Sequence, residues 1–185
     1  FNKLYEEWST LDRFQRTRGV LRLLALTIEN LWSGNSKDLL IMPSSIPLDN
    51  NDVKNELVRF LDDHWEPIIS QDVDGAESIP SNIDRQNPNL GRVSACKRVA
   101  RSLYMGTAPG SKRSQKGIID KSVKLGCVMP GEPIAVFGDG LRKLSDKGRY
   151  IQQDGDRYWI DITPNLNRTA DDYKNSYLRE RDNLI

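Results

Sequence analysis

Histidine occurs once in the 185 residues, at His64, and cysteine twice, at Cys96 and Cys127. One histidine cannot supply a paired metal motif, and the cysteines stand 31 residues apart with no CxxC spacing. A zinc module and a disulfide framework are therefore not expected. The cysteines read as reduced packing residues, and His64, beside Trp65 at a helix end, as structural or capping. No run of about 18 apolar residues exists, so no membrane-spanning helix is expected. No signal peptide is recognisable, and a cytoplasmic location follows as an expectation.

The catalytic inventory is equally sparse. There is no GxSxG. Asp72-Val73-Asp74-Gly75 opens like a calcium loop but lacks the later ligands, so it reads as a turn. The stretch PGSKRS (109–114) lacks the spacing of a phosphate loop, and Lys112 is followed by Arg113 where a magnesium-binding hydroxyl is needed. The chain on its own is expected to bind no cofactor and to hydrolyse no ATP.

What the sequence does hold is enough apolar residue, 37 % with four tryptophans, to build a core. The net charge is only +1, but it is segregated. Residues 49–84 carry ten acidic residues against two basic ones, and residues 85–124 ten basic against one acidic. Either the two blocks face each other and cancel, or Arg92, Lys97, Arg98, Arg101, Lys112, Arg113 and Lys116 form a surface for nucleic-acid phosphates.

Periodicity predicts helices over 3–15, 18–32, about 50–65, 91–105, 117–125, about 133–146 and 168–182. Leu39 to Met42 reads as a buried extended segment. Residues 70–91, with two prolines, two glycines and many Asx residues, read as a long irregular loop. Asp154-Gly155 between two alternating aromatic segments is a hairpin signal. Helix, turn, helix and a two-stranded wing is the order of a winged-helix module. The first residues already read as helix and there is no initiator methionine, which suggests a piece of a longer protein.

The stretch RTRGVLRLLA (16–25) is apolar almost all round from Val20 onward, the pattern of a buried helix. Gln15, Arg18, Arg22 and Glu29 fall on one stripe of it. Arg22 is either an ion-pair member on a narrow solvent stripe or an arginine offered to a nucleotide phosphate on a neighbouring domain.

Gly19-x-x-Arg22 at the start of a helix resembles the sensor-2 element of AAA+ ATPases, whose helical lid follows the nucleotide-binding core. The strings LYEEWSTLDRFQRTRGVLRLLA, LIMPSSIPLD, DVDG, RVARSLYMGTAPG and RYWIDITPNLN, in that order, resemble the C-terminal part of a large AAA+-like ATPase family. Its members occur in phage-defence islands and include the PglY component of phage-growth-limitation systems. The resemblance implies that ATP and magnesium bind in the parent protein, through motifs upstream of this chain. It also implies that Arg22, with Arg18 beside it, senses the nucleotide.

The expected fold class is α+β, mostly helical. A lid-like helical segment (1–35) precedes a mixed helical middle (36–110), and a winged-helix-like module with a final helix closes the chain (115–185). The expected function is a regulatory region of an AAA+-like ATPase, coupling nucleotide state to DNA or to protein partners such as other defence-system components, with the rest of its own chain as first partner. The alternatives are a stand-alone winged-helix DNA-binding module and a protein-interaction scaffold. The hairpin tip, with Gln152, Gln153, Asp154, Asp156 and Arg157, is not basic, which favours protein over DNA as the wing's contact.

Overall fold

A computed structural model describes residues 8, 11, 17–61, 64–110, 117–166, 169–170, 174 and 177. The expected helices over 3–15 and 168–182 lie largely outside these residues.

The fold is α+β and mostly helical, with one small antiparallel sheet. Helix α1 spans Thr17–Ser33, followed by a 3-10 turn at Pro43–Ser45. Helix α2, Asn51–Val58, starts where Asn50 accepts hydrogen bonds from the Asp52 and Val53 amides. It stops short of the expected end at Trp65. The short helix α3, Trp65–Ile68, runs on into a π-helical turn, Ile69–Val73. His64 precedes α3, exposed, and its side chain makes no capping bond.

Residues 70–91, expected as a long loop, carry two helices instead: α4, Ile79–Gln86, and α5, Pro88–Gly91. The residues that suggested a loop are here start signals. Ser78 accepts from the Ser81 amide, and Pro80 and Pro88 occupy first turns, where a missing N–H costs nothing. The segment 39–42 also departs from expectation: Leu39, Leu40 and Ile41 are 71 %, 51 % and 46 % exposed.

Helix α6, Ala95–Thr107, is the spine of the molecule. Ala95, Cys96, Val99, Ala100, Leu103 and Tyr104 are fully buried. Ser94, just before it, is left-handed and its side chain makes no capping bond, so the capping is done from α4: the Asp84 carboxylate accepts from the Cys96 and Lys97 amides at 3.0 and 3.1 Å. Trp65 meets the Tyr104 ring edge-on at 5.6 Å, and the Trp8 indole N–H donates to the Met105 carbonyl.

Strand β1, Ile118–Ile119, leads into α7, Asp120–Leu125, and then α8, Ile134–Lys147. Strands β2, Ile151–Asp154, and β3, Arg157–Ile160, form the hairpin. The sheet order is β1-β3-β2, with Ile118 opposite Tyr158 and Ile151 opposite Ile160. Asp154 pairs with Arg157, so the turn is Gly155-Asp156, one residue later than expected, and Gly155 supplies the positive φ of 57°. Ile118, Ile151 and Ile160 face the core, and the Ile160 amide donates to Thr107 on α6. Helix α8 crosses α6 closely at Gly140, where a Cβ would sit 3.5 Å from that of Ala95.

Candidate functional site on helix α1

The exposed half of α1 divides into two parallel strips. A 3.6-residue period places Leu21, Ala25, Ile28 and Trp32 on one line, and Arg18, Arg22 and Glu29 on the line beside it. All seven are exposed, Trp32 at 85 %, while Gly19, Val20, Leu23 and Thr27 form the buried face. The expectation of a helix buried all round is thus corrected. Its apolar surplus lies outside, next to the arginines, and the exposed Leu39, Leu40 and Ile41 follow shortly after its end.

Arg22 is held without being hidden. Its Nε lies 3.2 Å from Oε2 of Glu56 on α2; the arginine side chain is 59 % exposed and the glutamate 4 %. Arg59, at the C-terminal end of α2, places Nη1 3.3 Å from the same oxygen and lays its guanidinium 4.6 Å above the Phe60 ring. Arg22, Leu26, Asp52, Asn55, Glu56 and Arg59 line an open cleft of about 250 Å³. The stripe of Arg18, Arg22 and Glu29 was legible from spacing. Glu56 and Arg59 were not, because nothing in the sequence announces a partner 34 residues away.

The basic residues of the second half are mostly engaged. Lys97 lies 2.9 Å from Asp74 and 3.2 Å from Asp49, and Arg101 lies 2.6 Å from Asp74 and 3.2 Å from Asp49. The acidic and basic blocks do face each other here. Burial pushes Asp49 up, but the charges of Arg101 and Lys97 outweigh it and hold the carboxyl below its ordinary value. Arg98 binds Glu132 at 2.7 Å and the Cys127 carbonyl, with its guanidinium over Phe137. Glu132 is likewise held low by Arg98 and the Met129 amide, against a desolvation that would raise it. Arg92 is exposed. Lys112, Arg113 and Lys116 lie outside the described residues.

Asp72 and Asp74, the suspected calcium-loop pair, are buried structural acceptors. Asp72 takes the Tyr150 amide at 2.6 Å and Asp74 the Asp49 amide at 2.9 Å. No cluster of three or more His, Cys, Asp or Glu able to hold a metal occurs among the described residues.

The outward side of α8 does not present a free basic face. Asp139, Arg142, Lys143 and Asp146 form one wall of a cleft of about 450 Å³, whose other wall is Gln86 to Leu90. Arg142 is bonded to Asp139 at 2.7 Å.

Against known families, residues 3–120 match the DUF499 second domain. The chain belongs to that family. The matched DUF499 span takes in α1 to α6, β1 and the first residue of α7; α8 and the hairpin lie beyond it. No curated protein and no solved structure matches the chain. No helix among the described residues is long and apolar enough to cross a membrane.

Proposed function

We propose that this chain is a regulatory coupling domain of a larger AAA+-like ATPase of the PglY-like, phage-defence kind, in which ATP and magnesium are held by another domain. The observation that carries the reading is the exposed half of α1: an apolar strip laid beside Arg18 and Arg22. An apolar strip of this length on a helix is a surface for another protein element. Arg22 at its border is fixed by Glu56 yet open to solvent, as a guanidinium must be if it is to meet a phosphate on a neighbouring domain. The family description, a second domain, supports the presence of a first domain in the same polypeptide. The resemblance of Gly19-x-x-Arg22 to a sensor-2 element supports the role of Arg22, with Arg18 one turn away.

The order α6, β1, α7, α8, β2, β3 with β1 beside β3 supports reading this part as winged-helix-like. Its α8 carries as many acidic as basic residues along the cleft, and Arg142 is spent on Asp139. A groove-reading helix needs free donors and net positive charge. The wing therefore contacts protein in this reading, and transmits nucleotide state to a partner.

The test is Arg22→Ala in the full polypeptide. Turnover of ATP should fall ten-fold or more, a loss of about 1.4 kcal/mol or more of transition-state stabilisation. Unchanged turnover in a folded variant would refute the assignment.

A further inference from the structure

The geometry points to a second phosphate-contacting arginine: Arg59, held with Arg22 on the buried carboxylate of Glu56, completes a two-arginine cradle for a polyphosphate group, with Glu56 as its positioning residue. This rests on the reading of Arg22 given above and extends it to a site with its own composition.

Three observations carry it. First, both guanidiniums converge on one atom. Arg22 Nε and Arg59 Nη1 stand 3.2 and 3.3 Å from Oε2 of Glu56, so the cations arrive from two elements, α1 and the end of α2, at one point. Second, neither grip is the two-pronged fork that arginine makes with a carboxylate when the pair is an end in itself. The other oxygen, Oε1, is buried with no hydrogen-bond partner among the described residues. Each arginine thus spends one edge on Glu56 and keeps most of its five N–H donors. Third, those donors border an open cleft of about 250 Å³, and the side chains are 59 % and 50 % exposed while Glu56 is 4 %. A carboxylate this deeply buried is fixed by its surroundings and orients two otherwise flexible side chains. Phe60 under Arg59 fixes the second guanidinium further.

The two arginines and Glu56 leave one net positive charge. Asp52 on the rim opposes an anion, but it is exposed and screened by solvent. The ligand class is a flexible, multiply charged phosphate chain, which can place oxygens on both forks at once.

The test is a titration of this chain with inorganic tripolyphosphate, read from the Nε–H signals of its arginines by nuclear magnetic resonance. Arg22 and Arg59 should shift along one common isotherm, while Arg92 and Arg142, exposed elsewhere, stay still. Glu56→Gln should weaken that isotherm at least five-fold although it removes a negative charge. Tighter binding would show that Glu56 masks the arginines, and would overturn its positioning role. Should Glu56→Gln not fold, Arg59→Gln serves, since that side chain is half exposed: the Arg22 response should weaken at least five-fold. Movement of Arg22 alone, or an Arg22 response indifferent to Arg59→Gln, overturns the cradle and leaves the reading of Arg22 standing. No movement of either overturns the cradle, while the reading of Arg22 is decided separately by turnover of Arg22→Ala in the full polypeptide; equal movement of every exposed arginine reduces the effect to unspecific charge and likewise overturns the cradle.

Discussion

Asp72 sits fully buried on the π-helical turn and receives the Tyr150 amide just before β2, tying the hairpin to the helical core. Burial pushes its carboxyl up to about 6, against the pull of the Tyr150 and Arg149 amides and of the Arg149 charge. The folded state therefore holds this proton more tightly than the unfolded chain does. Stability from this group is full at low pH and falls as pH rises from about 4 through about 6, by up to about 3 kcal/mol. Asn at this position keeps an oxygen for the Tyr150 amide and has no proton to lose. Asp72→Asn should thus flatten the decline between about pH 4 and 6.5 relative to the parent chain, measured by urea unfolding at a series of pH values. A variant whose pH profile parallels the parent's would show that Asp72 does not titrate in this range. Arg22 is legible in the sequence as part of a stripe, whereas the tasks of Asp72, Asp84 and Glu56 depend on partners 78, 12 and 34 positions away.

At the scale of elements, α6 turns three of the basic residues, Lys97, Arg98 and Arg101, onto carboxylates of the chain. Arg98 and Arg101 are only 14 % and 13 % exposed. Such partly buried pairs cost more to break than surface ones, because the carboxylate left behind is desolvated. Arg101→Gln should therefore lower the melting temperature by several degrees, on the order of 2 kcal/mol or more. The same variant should leave the slope of log K against log salt for duplex DNA unchanged. A flatter slope in a variant of unaltered stability would instead put Arg101 on phosphate. Helices α1, α6 and α8 and the hairpin were legible because apolar period and turn chemistry agreed. Strand β1 was not, since two residues carry no period, and it becomes a strand only by pairing with β3. The helices α4 and α5 were missed because Ser78, Pro80, Asn87 and Pro88 have loop and helix-start readings alike. Tertiary burial of Pro80, Ile83 and Leu90 decides between them.

For the whole molecule, the exposed half of α1 is the proposed contact with a nucleotide-binding domain, and that can be read from one surface thiol. The native cysteines are silent reporters: Cys96 and Cys127 are buried, and burial raises both thiols, Cys127 to about 12. Ala25 lies on the apolar strip between Leu21 and Ile28, exposed and small enough to replace without altering the strip. Ala25→Cys therefore introduces a single reactive thiol at the proposed contact, and its maleimide labelling rate reports how far the strip is covered. In this chain alone the rate should match that of an exposed peptide thiol. In the full polypeptide, with ATP and magnesium present to load the proposed nucleotide-binding domain, it should fall at least ten-fold. Equal rates in the chain and in the full polypeptide would leave the strip uncovered and contradict the coupling role.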